Sequence, residues 1–479
     1  MGVSPIAMTQ DLLSKAWAYV ADRFARIDLF DETKADLQKE SPWYQLGAVT
    51  YLYWITVVIT GLLLVMVYIP TTSQAYDTII LIKDSVLFGI IRGCHKYGGD
   101  ALIIAATLRV YRMWINAEYK NRGEFAFILS IVILLLGMYS GLSGYLLIWN
   151  QRAYWATKIF ATFPTYLDAK PAVEFWFIPK ITSFMTSTIG DLTFQGRNTS
   201  QILLGGTSIS QATMTRFFAF HFALSLLALV ASELYFYTAR LKRLNLKPWQ
   251  CLIFLGMLVF TAIILPAEMG SRANPEVTPL PILSDWYFLA LYQMLKYMDP
   301  YWATLWTVGI PVAVIGLMFT DLGPEKNIWK RPIYFMAMLS GFLGFVVFSA
   351  LIIMNIADIN NDPPFWFAQI AIFFTIGEIW HFALYRSMLT WLIWVIPNAV
   401  LAGAVYFVYM IPKPVLKPPF NWLYDIPSTM HVKPYHQMWL NLYMVYIVIL
   451  LVFTAIFALM NKKRDAQALT GTVSEGASA

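Results

Sequence analysis

Runs of about 20 predominantly apolar residues recur along nearly the whole chain after residue 42. A run of that length lets an α-helix cross the hydrocarbon core of a bilayer. The 479-residue chain is 58% hydrophobic and only 13% charged, which is more apolar than a soluble domain requires. The sequence therefore predicts an all-α, polytopic transmembrane helical bundle of about ten spans. Their approximate bounds are 44–70, 86–111, 126–149, 217–238, 250–267, 302–320, 335–356, 366–385, 390–411 and 438–460.

Lysine and arginine are concentrated in alternate connections between the predicted spans. The basic residues of the N-terminal segment, of the loops after spans two, four and six and of the C-terminal tail fall on one face when the spans alternate. The positive-inside rule assigns that face to the cytoplasm. We therefore expect a multi-pass protein of a prokaryotic cytoplasmic (inner) membrane with both termini cytoplasmic. The net charge of +6 follows from this topology, and no nucleic-acid partner is expected.

Two long connections on the other face break the apolar pattern. Residues 150–216 are rich in aromatic residues, Thr, Ser and Gly. Residues 268–300 contain the stretch NPEVTPLPILSDWYF, whose prolines exclude a straight transmembrane helix and predict an extended segment leading into a short helix. Connections of this length are commonly functional.

Two of the five histidines, His95 and His221, lie within spans two and four, in the half of each helix away from the predicted cytoplasmic face. Neutral imidazoles from two facing helices can hold a haem iron from both sides. Histidines at this depth can instead bridge helices by hydrogen bonds or relay protons. The two cysteines, Cys94 and Cys251, lie in no CxxCH or paired-ligand motif, so this chain is not expected to ligate an iron–sulfur cluster or an ordinary c-type haem.

The residues around both histidines resemble the cytochrome b family. The stretch RGCHKYGGDALIIAATLRVYR resembles the second helix of that family, and TRFFAFH resembles the fourth. The resemblance covers roughly residues 43–385, so spans nine and ten lie outside the eight-helix family pattern. It implies haem b held by His95 and His221.

The family carries a second histidine 14 residues after the first on each of these helices, and that pair holds a second haem. Here the corresponding residues are Arg109 and Tyr235. A guanidinium is a poor iron ligand because it has no free lone pair at accessible pH. We therefore expect one haem b and no bis-histidine haem at the inner site.

The resemblance also implies residues that surround the haem. Gly61 and Gly144 match glycines that contact the outer haem, whereas Ser130 stands where an inner glycine is expected. Such glycines let the backbone approach a flat macrocycle, although small residues also mediate ordinary helix packing. Arg92 and Arg216 are expected to meet the propionates, with placement at the membrane interface as the alternative.

A quinol pocket is implied beside the outer haem. The family builds it partly from a Pro-Glu-Trp-Tyr motif, which here reads Ser-Asp-Trp-Tyr, and Asp285, Trp286 and Tyr287 are the expected pocket residues. The Asp285 carboxylate could accept a quinol proton. Trp155 and Ala156 resemble a short helix over the same pocket, although interfacial anchoring also explains the tryptophan. Ala156 stands where the family often has Gly, so we expect poor sensitivity to strobilurin-type inhibitors.

The expected organisation has four segments. Residues 1–42 form a cytoplasmic amphipathic segment, 43–245 a haem-binding four-helix bundle with the quinol-site loop, 246–386 the C-terminal-like helices with the SDWY motif, and 387–479 two additional spans and a tail. The family implies a subunit of a quinol oxidoreductase with quinone or quinol as substrate. Its expected partners are a Rieske iron–sulfur protein, c-type cytochrome subunits and a second copy of the chain, in a lipid bilayer. Two alternatives remain: a haem-containing membrane anchor that exchanges electrons between quinone and a dehydrogenase without a Rieske partner, and a non-redox scaffold or transporter.

Overall fold

The structure is a computed structural model of the full chain. It describes residues 13–19, 43–120, 123–166, 199–239, 241–278, 284–297, 300–321, 324–353, 377, 380 and 384. Helices account for nearly all of the regular structure in these residues. In chain order they are α1 Leu46–Val65, α2 Ala75–Asp84, α3 Val86–Ile115, α4 Glu124–Leu146, α5 Gln151–Tyr166, α6 Thr199–Leu204, α7 Gln211–Ala239, α8 Pro248–Ile264, α9 Leu289–Tyr297, α10 Pro300–Thr320 and α11 Pro332–Ile353, with short 3-10 helices at Trp286–Phe288 and Ile328–Lys330.

Helices α1, α3, α4, α7, α8, α10 and α11 coincide with the first seven predicted spans. Among the described residues, four stretches are long and apolar enough to cross a membrane: Leu46–Val65, Glu124–Leu146, Gln211–Ala239 and Pro332–Ala350. The prediction of an all-α, multi-pass membrane protein is confirmed. Predicted spans nine and ten lie outside the described residues, as does all of span eight except Gly377, Trp380 and Leu384.

The two connections contain the expected short helices. Helix α5 begins at Gln151 in the first connection, and the 3-10 helix Trp286–Phe288 in the second leads directly into α9. Of the N-terminal segment, only residues 13–19 are described before residue 43, and they are helical. The four proposed segment boundaries stay predictions.

Threonines in α1 form hydrogen bonds within their own helix. In α1, the hydroxyls of Thr50, Thr56 and Thr60 donate to the carbonyls four residues earlier, at 2.7–2.8 Å. Such bonds let threonine occupy a helix in an apolar environment because no polar atom is left unpaired. At the sharp junction between α2 and α3, the Ser85 side chain caps α3 by accepting from the Phe88 amide.

Four of these helices form a bundle around a central cavity. Helix α1 packs along α3, and α4 packs along α7. The pairs are joined by contacts of α3 with α4 and of α1 with α7, while α8 packs on α3. This arrangement places the predicted haem-ligand positions on helices that face the same space. Within a separate compact unit, α9 packs against α11.

Candidate functional site

His95 on α3 and His221 on α7 face each other across the bundle. Their ring centres are 6.0 Å apart, and the ring planes are inclined at 66°. Two imidazoles on opposite sides of one metal ion have centres about 6 Å apart, because each metal–nitrogen bond is about 2 Å long. The separation therefore fits one metal ion between the rings.

The hydrogen bonds of the two rings orient them in the same way. Nδ1 of His95 lies 2.9 Å from the carbonyl oxygen of Val57, and Nδ1 of His221 lies 2.8 Å from that of Ser140. A carbonyl only accepts, so Nδ1 carries the proton in each neutral ring and Nε2 keeps its lone pair. Metal-binding histidines are commonly oriented by such a bond from the other ring nitrogen.

Glycines make these hydrogen bonds possible. In an α-helix the carbonyl of residue i is paired with the amide of residue i+4, so Gly61 and Gly144 lie one turn beyond Val57 and Ser140. A Cβ at Gly61 would lie 2.9 Å from Cε1 of His95, and one at Gly144 would lie 2.6 Å from Cε1 of His221. Each imidazole reaches the neighbouring backbone only because the glycine has no side chain.

Each ring also contacts a hydroxyl that the sequence reasoning missed. The Oγ1 of Thr60 is 3.2 Å from Nδ1 of His95, and the Oγ of Ser143 is 3.4 Å from Nδ1 of His221. In both helices a hydroxyl residue directly precedes the glycine. This repeated Thr-Gly and Ser-Gly arrangement is a signal that the sequence contains.

A cavity of about 940 Å³ adjoins both histidines. Its wall is formed by residues of α1, α3, α4 and α7 and by the loop after α8. Gly61 and Gly144 line it together with the two imidazoles, and it extends along the bundle to Thr50 and Ser232. Ligand pockets in proteins range from about 300 to 1,000 Å³, so this space is large enough for a macrocycle. The oriented imidazoles, the glycine surfaces and the cavity together fit haem b.

The two arginines expected at the propionates occupy different environments. Arg92 lines the cavity, and its guanidinium donates to the carbonyls of Ala267 and Glu268, both at 2.8 Å. Arg216 does not line this cavity. Its guanidinium packs against Gly205. Glycine is favoured at this position because φ is +82° and because a Cβ would collide with the guanidinium. A propionate role stays a prediction for both arginines.

The SDWY motif brings a carboxylate to the same cavity. Asp285 and Tyr287 both line it, and the Tyr287 hydroxyl donates to Oδ2 of Asp285 at 3.2 Å. Burial raises the pKa of the Asp285 carboxyl, and the charge of Asp100 raises it further, whereas Lys96, the Tyr287 hydroxyl and Arg152 lower it. Burial also raises the pKa of Tyr287 well above its ordinary value, so this phenol stays protonated.

The aromatic stretch before and within α5 supports the loop that precedes the motif. The backbone carbonyl of Trp149 accepts a hydrogen bond from the Ala273 amide at 3.1 Å, and the Asn150 side chain donates to the Met269 carbonyl at 2.8 Å. Trp155 and Ala156 are buried, at 9% and 0% exposure, but neither lines the cavity. Their expected role at the quinol pocket stays a prediction.

Arg109 and Tyr235, which stand where the family has its second histidine pair, pack against each other. Cζ of Arg109 lies 4.5 Å from the centre of the Tyr235 ring, and the two residues are 1% and 0% exposed. Gly47 also lies close to this tyrosine, since a Cβ at Gly47 would be 3.0 Å from Cε1 of Tyr235. Nε and Nη2 of Arg109 and the Tyr235 hydroxyl have no hydrogen-bond partner within the described part of the chain.

Comparisons with known proteins identify the family of this chain. The family profile described as Cytochrome b/b6/petB matches residues 35–182, and the profile Cytochrome b(C-terminal)/b6/petD matches residues 272–376. A cytochrome b6 of Acaryochloris marina is 30% identical over 200 residues, which cover 41% of this chain and 81% of that protein. The chain belongs to the cytochrome b/b6 family. Membership implies a haem-containing membrane subunit of electron transport.

Two further relatives and one solved structure match this chain beyond its first four spans. A cytochrome b of Rhodospirillum rubrum is 23% identical over 379 residues, covering 73% of this chain and 85% of that protein. A cytochrome bc complex cytochrome b subunit of Chlorobaculum thiosulfatiphilum is 26% identical over 299 residues, but this match spans only 63% of that subunit. A solved chain titled "Hyperthermophilic respiratory Complex III" has the same fold, with a TM-score of 0.57, 19% identity, and coverage of 79% of this chain and all of that chain.

Proposed function

We propose that this cytochrome b is the quinol-oxidising subunit of a bc- or b6f-type oxidoreductase and holds a single haem b between His95 and His221. The observation that carries the proposal is the matched pair of imidazoles, each with Nδ1 bonded to a helix carbonyl and Nε2 left free for a metal. When bound, the haem supplies a one-electron acceptor beside the quinol pocket.

The surrounding residues support binding and deprotonation of quinol. Asp285 and Tyr287 line the same cavity as the histidines, so a quinol head group in that cavity can approach both the carboxylate and the haem site. The ionised Asp285 accepts a proton from a quinol hydroxyl, and the protonated Tyr287 donates to that carboxylate and holds it in place. The apolar walls exclude water from the head group.

Oxidation of one quinol releases two electrons and two protons. We propose a Rieske iron–sulfur protein as the second electron acceptor and c-type cytochrome subunits and a second copy of this chain as further partners, by analogy with the family. The histidine site is placed in the half of the bilayer away from the cytoplasm, because the basic connections indicate the opposite face. The Arg109–Tyr235 stack supports a haem count of one.

Purification of the native complex tests the proposal. We expect one haem b per chain by pyridine haemochrome assay, a co-purifying Rieske protein and quinol-dependent reduction of a c-type cytochrome. Two b haems per chain would overturn the single-site proposal. A haem-containing complex that reacts with quinone and a dehydrogenase but contains no Rieske protein would favour a membrane anchor, and absence of haem would favour a scaffold or transporter.

A further inference from the structure

A second carboxylate lies at the edge of the same cavity, on the helix that carries His95. Asp100 lines the cavity together with Lys96, and the Lys96 ammonium lies 2.6 Å from Oδ2 of Asp100. Charged residues within membrane helices are expensive and usually mark a functional path or a partner. The described mechanism assigns no role to either residue.

Both oxygens of this carboxylate are engaged. Oδ2 faces Lys96, and Oδ1 accepts a hydrogen bond from the indole Nε1 of Trp286 at 3.1 Å. The side chain of Asp100 is 19% exposed, so the ion pair is only partly screened by solvent. Asp100 therefore connects α3 to Trp286, the third residue of the SDWY motif.

Trp286 directly follows Asp285 and directly precedes Tyr287. A hydrogen bond that fixes its indole also limits the rotation of the peptide units on either side, which carry the two residues that line the cavity. The indole packs edge-on against the Tyr287 ring, with ring centres 5.5 Å apart. Fixing Trp286 thus fixes the direction in which its neighbours point.

We propose that Asp100, paired with Lys96, is a positioning residue for quinol oxidation that anchors Trp286 and places its carboxylate among the groups that act on Asp285. This inference rests on the proposed function of Asp285 as the proton acceptor. The charged or titratable groups that act on Asp285 are Lys96, Asp100, Arg152 and Tyr287, so each side of the pair can be removed separately.

The Lys96–Asp100 pair gives a test with opposite signs. Asp100→Asn keeps an oxygen for the indole but removes a negative charge, so the Asp285 carboxyl should titrate at lower pH. Lys96→Met removes a positive charge, so the same carboxyl should titrate at higher pH. We expect the titration midpoint of the Asp285 carboxyl to move by about half a pH unit or more in each direction. Lys96→Arg preserves the charge and should leave the midpoint in place.

Two readouts on the purified complex separate the possible failures. Infrared pH titration, with the Asp285 band identified by subtraction of Asp285→Asn, reports the carboxyl whether or not quinol is oxidised. The acid side of the pH–rate profile for quinol oxidation should move with that midpoint, and haem spectra should confirm an intact haem site in each variant. Asp100→Ala, which also removes the indole acceptor, should lower kcat several-fold more than Asp100→Asn.

Shifts of Asp100→Asn and Lys96→Met in the same direction, or no shift in either, would overturn the positioning role. A titrating Asp285 whose protonation does not affect the rate would instead overturn the proton-acceptor role on which the inference rests. A wild-type complex that does not oxidise quinol would overturn the proposed function.

Discussion

The His95–His221 pair and the Arg109–Tyr235 pair stand on the same two helices, α3 and α7, 14 positions apart along each helix. The histidines turn toward a large cavity and are oriented by backbone carbonyls. The arginine and tyrosine instead stack on each other and are fully buried. Under the single-haem proposal, the same helix pair keeps one cofactor site and lacks the other, because ligand atoms and the space beside them depend on individual residues.

The largest effect is expected from removing one histidine. His95→Ala or His221→Ala leaves a single imidazole for the iron, so the low-spin haem spectrum should disappear completely. The reduced-minus-oxidised α-band and the haemochrome count measure this loss. Thr60→Val removes only the hydroxyl near Nδ1 of His95 and retains the Val57 carbonyl, so it should retain haem. Unchanged spectra in both alanine variants would contradict the ligand assignment.

The second largest effect is expected from changing Asp285, which lines the cavity beside the two histidines. Asp285→Asn should slow quinol oxidation by about 100-fold or more while leaving haem content unchanged, because general-base catalysis is lost. In the wild type the active form is the carboxylate, and the pKa of Asp285 is raised above the ordinary value of 3.8. The rate should therefore fall as the pH drops through that raised pKa.

Asp285→Glu is the matched control, since it retains a carboxyl group and restores the residue usual in the family. Its pH–rate profile should keep an acid limb, whereas that of Asp285→Asn should lose it. An acid limb of the same midpoint in all three proteins would assign the titration to another group.

A smaller effect is expected from the glycines. An alanine at residue 144 must displace His221, whose Cε1 would lie 2.6 Å from the new Cβ, and an alanine at residue 61 meets His95 at 2.9 Å. We expect partial loss of haem, several-fold for Gly144→Ala and less for Gly61→Ala, measured as haem per chain. Gly256→Ala is the control because, apart from the nearby backbone of its own helix, no atom of the described residues lies within 4 Å of its added Cβ. Full haem content in both variants would contradict the glycine argument.

The smallest effect is expected at the stacked pair. Arg109→Met removes a cation–π contact of about 0.5–2 kcal/mol but also removes buried unpaired donors that cost about 1–3 kcal/mol. We therefore expect an unchanged haem count and a change in the free energy of unfolding below about 2 kcal/mol, followed by thermal denaturation in detergent. Loss of haem in this variant would show that Arg109 contacts the cofactor.

The sequence predicted the helices and the family because both depend on local patterns: apolar run length for the spans, and the stretches around His95 and His221 for the family. It did not predict the carbonyl partners of these rings, which depend on how close two helices approach. The Asp100–Trp286 hydrogen bond joins residues 186 positions apart and depends on tertiary structure. For the same reason, replacement at Arg109 predicted a missing ligand but not a stack on Tyr235.

The presence of Arg109 and Tyr235 in place of a second histidine pair also bears on how far electrons move across the membrane. Fourteen residues of α-helix span about 21 Å, most of a hydrocarbon core of about 30 Å. Moving one elementary charge through the whole transmembrane potential changes the free energy by about 2.3 kcal/mol per 100 mV. In the proposed single-haem subunit, Arg109 and Tyr235 stand where the family has its second electron carrier, so electrons received near His95 have no second haem through which to travel that depth. Turnover is therefore expected to depend only weakly on the voltage across the membrane.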